Sequence, residues 1–92
     1  MPLKLIANWK LHGAKSFSRD WLNSFNDFYQ GSSFSSIGIA PPSIFIHDLA
    51  KQIDNPGLLI GSQNVDHFHS GARTGEISAD MVADVGGQFS LA

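Results

Sequence analysis

An amide and an ammonium group stand two residues apart, directly after the first apolar run of the sequence. Asn8 and Lys10 follow Leu5-Ile6-Ala7 and enclose Trp9. If this run is a strand that continues through them, both side chains point to the same side. An ammonium beside a concave site attracts anions such as phosphate esters, and an amide NH₂ donates to a substrate oxygen. The pair is a candidate ligand site, although such residues after a strand are more often ordinary surface residues.

Two of the four histidines are spaced as metal ligands could be. His67 and His69 can place their imidazoles on one face, but zinc needs a third or fourth ligand. Further candidates are restricted to a few nearby acids and two remote histidines: Asp66, Glu76, His12 and His47. The alternative is an exposed loop in which both histidines titrate near neutral pH. We therefore expect no metal site.

A long polar segment, 63–77, contains glycines whose spacing could wrap an anion. The stretch Gly71-Ala72-Arg73-Thr74-Gly75-Glu76 lacks the strand-to-helix context of a phosphate-binding loop, so it is not predicted to be one. A simple surface loop is the alternative. Loops of this length in small chains are often functional or docked on a partner.

The elements that must position these residues alternate between strand and helix. Short apolar runs predict strands, and stripes of helical period predict the segments between them as helices. The predicted strands are 3–9, 37–40 and 58–61, with another beginning in 88–92, and the predicted helices start at Ser16, Ser43 and Ser78 as caps. Segment 30–36 is predicted to be a solvated loop.

The predicted helices have apolar faces that must pack against the strands. In the first, the stripe comprises Trp21, Leu22, Phe25, Phe28 and Tyr29; in the second, Phe45, Leu49 and Ile53; in the third, Met81, Val82 and Val85. Gly86-Gly87 is typical of the left-handed end of a helix, and Asn55-Pro56-Gly57 predicts a turn before the third strand.

This order of elements predicts an α/β fold with a parallel sheet covered by helices. A doubly wound open sheet and an eight-stranded barrel both use the repeat. The nucleotide-binding open sheets lose support because their glycine motifs are missing after the strands. A flavodoxin-like sheet stays open as an alternative.

Composition excludes several classes of protein. The 92 residues are 42% hydrophobic and 15% charged, with a net charge of −2 and no cysteine. No apolar run is long enough for a membrane span, and no basic cluster favours nucleic acid, so we expect neither partner. A disulfide scaffold is excluded, and the N-terminus lacks the apolar core of a signal peptide. We expect a cytoplasmic protein.

Four segments together identify a family resemblance. Asn8-Trp9-Lys10, Ile39-Ala40-Pro41-Pro42, Gly61-Ser62-Gln63-Asn64-Val65 and the stretch from Gly71 to Ala79 resemble triosephosphate isomerases in order and spacing. The resemblance implies that 1–92 is a partial TIM-barrel domain, with the first three βα units and the start of the fourth strand. It is thus the N-terminal β-α-β-α-β-α-(β) part of a (β/α)₈ barrel, with the barrel incomplete in this chain.

The resemblance also implies a reaction and roles for residues. The family interconverts dihydroxyacetone phosphate and D-glyceraldehyde 3-phosphate through an enediolate, in glycolysis and gluconeogenesis, without metal or organic cofactor. Asn8 would orient the substrate, and Lys10 would supply positive charge. Gln63 and Asn64 would support the site and the contact with a second subunit. Thr74 would be the tip, and Gly75 and Glu76 the base, of a loop that enters a pocket of the partner in a homodimer.

The sequence departs from the family at one place and covers only part of it. Leu11-His12 stands where the family usually has Met-Asn, a local change that leaves Asn8 and Lys10 in place. The electrophilic histidine of the family would follow shortly after Ala92, and the catalytic glutamate, mobile loop and phosphate-binding loops farther on. We expect 1–92 alone to be inactive. Alternatives are a small non-catalytic flavodoxin-like binding module, a decayed gene fragment, or a chain completed by another.

Overall fold

The computed structural model describes residues 3–29, 34–55 and 57–92. Within these ranges, four strands alternate with three helices, and a 3₁₀ turn at Ser43–Phe45 precedes the second helix. The strands are β1 (Leu3–Asn8), β2 (Phe34–Ala40), β3 (Leu58–Ser62) and β4 (Phe89–Ser90); the helices are α1 (Lys15–Phe28), α2 (Ile46–Gln52) and α3 (Ala79–Asp84). The predicted alternation of strand and helix is therefore confirmed.

The strands form one parallel sheet in chain order, β1-β2-β3-β4. A doubly wound sheet of the flavodoxin type places its first strand between two others. In the described residues, β1 instead lies at the edge of the sheet, next to β2. Sequential order is that of a barrel, which needs eight strands to close. The fold is the N-terminal part of a (β/α)₈ barrel, and the barrel is incomplete in this chain.

One face of the sheet packs against the helices and forms the core. Alternate residues of β2 and β3, including Ile39 and Ile60, are buried there against Ile46 and Leu49 of α2. The cluster also contains Trp9, Leu22, Leu58 and Val82. Burial of this kind stabilises a fold by about 25 cal/mol for each Å² of apolar surface removed from water. The core therefore lies between the sheet and the helices, like the layer between the strands and the outer helices of a barrel.

On the opposite face of the sheet, two glycines accept one aromatic ring. Phe89 lies over Gly38 and Gly61. A Cβ built on Gly61 would collide with the carbonyl oxygen of Phe89 and lie 2.6 Å from its ring, and one on Gly38 would lie 3.1 Å from the ring. These two glycines therefore make room for the aromatic side chain of β4. On the same face Ile6 of β1 remains 45% exposed.

Two of the three predicted helix caps are wrong. The N-cap of α1 is Ala14, so that Ser16 lies within the first turn of the helix. Ser43 is the first residue of the 3₁₀ turn, where Pro42 occupies the capping position without a side-chain bond. The third cap is confirmed, because the Ser78 hydroxyl accepts a hydrogen bond of 3.2 Å from the backbone N–H of Met81.

Other boundaries differ in detail. β2 begins at Phe34, so the predicted loop is wrong for 34–36, while 30–33 lie outside the described residues. Met81 is 53% exposed and does not belong to the inward face of α3, which Val82 supplies. Gly86 has φ +100° and confirms the left-handed helix end. At the predicted turn, Gly57 N–H donates to Asn55 Oδ1 at 2.8 Å.

None of the helices in the described ranges combines the length and the apolar character that crossing a bilayer requires.

Candidate functional site

The candidate site lies where the first three strands end. β1 finishes at Asn8, and the following backbone stays attached to β2, because Trp9 N–H donates to the carbonyl of Ala40 at 3.0 Å. Carboxyl ends of parallel strands form the ligand-binding edge of α/β sheets and barrels. The predicted pair, Asn8 and Lys10, is therefore placed at that edge, and both residues are exposed.

The two residues of the pair are not related by strand geometry, as the sequence predicted, but by a hydrogen bond. The strand does not continue through Lys10, which has φ +54° in the left-handed region that side chains rarely adopt. Strand alternation therefore does not relate the two side chains, and that premise is wrong. A hydrogen bond joins them instead, since the backbone N–H of Lys10 donates to Asn8 Oδ1 at 2.9 Å.

The end of β3 is connected to the same place through a glutamine. Gln63 Nε2 donates to the carbonyl of Lys10 at 2.6 Å and to that of Ala40 at 3.0 Å. We call Asn8, Trp9, Lys10, Ala40 and Gln63 the strand-end junction. The sequence predicted a supporting role for Gln63 by resemblance alone, because nothing in its local pattern indicates contacts with residues so far away along the chain.

A column of aromatic rings supports the junction from the side of α1. Trp9 is 7% exposed and packs edge-to-face on Phe17, with ring centroids 4.9 Å apart. The column continues through Trp21, Phe25 and Tyr29, at centroid distances of 5.8, 5.4 and 4.9 Å. A cleft of about 500 Å³ opens beside Asn8 between this column and the loop after β1.

The junction has the groups that bind a small anion. Asn8 uses its side-chain oxygen for the backbone of Lys10, which leaves the amide NH₂ to donate to a ligand. The exposed Lys10 ammonium adds a positive charge with three donors. The arrangement therefore favours a ligand that carries both a negatively charged group and a polar oxygen.

The long loop after β3 is closed at its base and held internally by an ion pair. Asp66 N–H donates to the carbonyl of Ile77 at 2.7 Å. Arg73 makes two hydrogen bonds to the Asp66 carboxylate, at 2.5 and 3.0 Å, and its guanidinium lies 4.5 Å from the centre of the Phe68 ring. We call Asp66, Phe68 and Arg73 the loop cluster. Bidentate pairing of this kind fixes geometry as well as charge.

The ion pair changes the acidity of both partners. Hydrogen bonding to Arg73 holds the pKa of Asp66 below its ordinary value, and the attraction of the guanidinium charge adds to this effect. The same hydrogen bonds raise the pKa of Arg73. The Asp66 side chain is 9% exposed, whereas that of Arg73 is 43% exposed. The pair therefore stays charged throughout the neutral range.

The remaining predicted site residues lie on the loop surface. Thr74, Gly75 and Glu76 are exposed and turn sharply, with Gly75 at φ +84° and Glu76 N–H donating to the carbonyl of Arg73 at 3.2 Å. Asn64 is exposed beside Gln63. In the described part of the chain, hydrogen bonds bring Gln63, but none of these four residues, to the strand-end pair.

The two loop histidines approach different carboxylates. His69 Nδ1 lies 3.1 Å from Asp80 Oδ2, and His67 Nδ1 lies 3.9 Å from Asp66 Oδ1. Across residues 3–29, 34–55 and 57–92, no group of three metal-ligating side chains converges.

Comparisons with known proteins agree on one family. The family model described as triosephosphate isomerase matches residues 3–92. Triosephosphate isomerase of Xylella fastidiosa (strain M23) is 43% identical over 92 residues, which span 99% of this chain and 36% of that protein. The protein of the same name from Escherichia coli O1:K1 / APEC is 33% identical over 87 residues, or 95% of this chain and 34% of the relative.

A solved structure of triosephosphate isomerase from Bartonella henselae has the same fold. Its TM-score is 0.86 at 21% identity, over 98% of this chain and 37% of that one. The chain thus spans little more than a third of the length of the proteins it matches.

Proposed function

We propose that this chain, which belongs to the triosephosphate isomerase family, supplies one wall of an isomerase site. The substrates of that site would be dihydroxyacetone phosphate and D-glyceraldehyde 3-phosphate. The observation that carries the proposal is the strand-end pair. Asn8 and Lys10 are exposed at the ligand-binding edge of a barrel-type sheet, and a hydrogen bond ties them together. A phosphorylated triose offers the anionic group and the polar oxygens that this pair can bind.

The two residues act by binding and by electrostatics. The Asn8 amide orients the substrate by donating to one of its oxygens. The Lys10 ammonium attracts the phosphorylated substrate, and it stabilises the negative charge that develops on the enediolate oxygens as the carbon-bound proton is removed. A positive charge fixed in place before the reaction lowers the barrier because nothing has to reorganise in the transition state.

The proton transfers need groups that residues 1–92 do not include. The family uses a glutamate base and a neutral histidine electrophile, which the resemblance places after the fourth strand. We therefore propose that 1–92 forms a partial TIM-barrel domain of a larger site, and that the 92 residues alone are inactive. The proposal includes the family's pathway, glycolysis and gluconeogenesis, a cytoplasmic location, and a homodimer joined through the loop of Thr74, Gly75 and Glu76.

The experiment places the chain in a complete barrel. In the Xylella fastidiosa enzyme, the N-terminal segment that matches this chain is replaced by residues 1–92, and isomerase turnover of the purified chimera is measured. The unaltered relative is the positive control, and the separate 92-residue chain is the negative control. We expect the chimera to be active and the separate chain silent. A chimera that folds and dimerises without turnover, or turnover by the separate chain, would contradict the proposal.

A further inference from the structure

We infer that Gln63 is a positioning residue that acts through Lys10, by holding the backbone of Lys10 in the left-handed conformation that directs its ammonium group to the ligand. This inference rests on the proposed function of Lys10. It goes beyond that function by assigning the positioning of Lys10 to a side chain that directly follows β3.

The conformation of Lys10 needs an external restraint. A residue with a Cβ is crowded at φ +54° and, unlike glycine, rarely stays there unless its surroundings over-determine it. Two hydrogen bonds supply that restraint from opposite sides of the residue. Asn8 Oδ1 accepts from the N–H of Lys10, and Gln63 Nε2 donates to its carbonyl. Each peptide plane next to the Lys10 Cα is thereby fixed.

Gln63 also fixes Lys10 relative to the sheet. Its second hydrogen bond goes to the carbonyl of Ala40, the last residue of β2, which already accepts from Trp9 N–H. One amide NH₂ therefore ties the loop after β1 to β2 from a side chain that follows β3. Asn8 is the last residue of β1, and its side chain bonds only the nearby backbone of Lys10, so it does not link Lys10 to β3.

The consequence for catalysis follows from geometry. If the Gln63 bonds are lost, Lys10 can relax to a negative φ, and its Cα–Cβ bond then points elsewhere. A charged group displaced by about 1 Å can cost on the order of 100-fold in rate. Gln63 itself need not touch the substrate, because both donors of its amide group are used by backbone carbonyls.

The test is a double-mutant cycle in the active chimera. Gln63→Met keeps the length of the side chain and removes both donors, and we expect it to lower kcat/KM by about tenfold to 100-fold. In a Lys10→Ala background, the same change should lower kcat/KM less than about twofold, because a residue that acts through Lys10 has nothing left to position. Similar losses in both backgrounds would overturn the inference.

A matched control separates positioning from stability. Gln88 also bonds a backbone group of the sheet, since its Oε1 accepts from Ile60 N–H at 3.1 Å, but it lies away from the junction. Gln88→Leu should lower the Tm without changing kcat/KM in the folded protein. If Gln63→Met does not fold, Gln63→Glu preserves the size of the side chain but is a carboxylate at neutral pH, with no hydrogen to donate to the two carbonyls, and it should also lose activity.

The backbone itself provides a readout that does not depend on turnover. In crystals of the Gln63→Met or Gln63→Glu chimera, Lys10 should leave the left-handed region or become disordered. Retention of φ near +54° in both variants would overturn the inference even if activity falls. An unsubstituted chimera that folds but has no turnover would contradict the proposed function instead, and the crystal structures would still decide the role of Gln63.

Discussion

The strand-end junction and the loop cluster both include residues that follow β3, but they are held together by different interactions. The junction is joined by neutral hydrogen bonds to backbone carbonyls across 53 and 23 residues of sequence. The loop cluster is joined by an ion pair across seven residues and by a cation–ring contact within the same loop. The first arrangement depends on the whole sheet and is little affected by salt, whereas the second is local and electrostatic. The difference indicates that the geometry of the candidate ligand site is coupled to the sheet, whereas the geometry of the loop cluster depends on local contacts.

The largest expected effect is at the junction. In the active chimera, Lys10→Ala should lower kcat/KM by on the order of 10²–10³-fold, because a preorganised charge is lost at the place where negative charge develops. The Tm should change little, since the side chain is exposed. Lys51→Ala is the control, because Lys51 is an exposed lysine in the last turn of α2. Equal losses of Tm and activity would show that Lys10 is structural.

The sheet that holds the junction should respond strongly to a single added methyl group. Gly61→Ala should destabilise the chimera by about 1–3 kcal/mol, because its Cβ has no room beside Phe89. Gly38→Ala places its Cβ at 3.1 Å from the same ring and should cost less. Urea unfolding of both variants measures the difference. If the two variants are equally stable, the packing of Phe89 on this face is wrong.

On the loop side, the expected effect is on assembly. Thr74→Arg should weaken the proposed dimer by roughly tenfold to 100-fold, because a bulky charge at the loop tip would not fit a closed pocket. Ultracentrifugation across a dilution series measures it. Ser70→Arg, at another exposed loop position, is the matched control. An unchanged dissociation constant for Thr74→Arg would remove the tip from the interface.

The smallest effect concerns acidity in the loop cluster. Because Arg73 keeps the pKa of Asp66 below its ordinary value near 3.8, the pair stabilises the fold above that value, and this contribution disappears as the pH falls through the lowered pKa. NMR titration should give a pKa for Asp66 below 3.8, and a higher one in Arg73→Ala. Equal pKa values in the two proteins would mean that the ion pair does not form in solution.

The sequence predicted the strands and helices better than it predicted their boundaries and inward faces. The strand predicted at 58–61, which the structure extends to Ser62, was identified because burial on a parallel sheet demands apolar runs. β2 was predicted to start too late because Phe34-Ser35-Ser36 has the composition of a loop, and its strand conformation comes from pairing with β1. Met81 is exposed because α3, at six residues, has little inward surface beyond Val82.

The candidate site was predicted in type but not in geometry. Asn8 and Lys10 could be chosen because an amide and an ammonium after a strand suit an anionic ligand. The left-handed turn at Lys10 could not be predicted, since no glycine or asparagine marks it. The hydrogen bonds of Gln63 depend on three strand ends meeting in space, which a local pattern does not record.

The aromatic column on α1 gives the molecule its own optical reporter. Both tryptophans and the single tyrosine of the chain belong to it, so excitation energy absorbed by Tyr29 can transfer to the tryptophans. Intrinsic fluorescence therefore reports on the packing of α1 against the end of β1, and on the surroundings of Trp9 next to Asn8. Quenching of this emission would signal a ligand entering beside Asn8 without any attached dye.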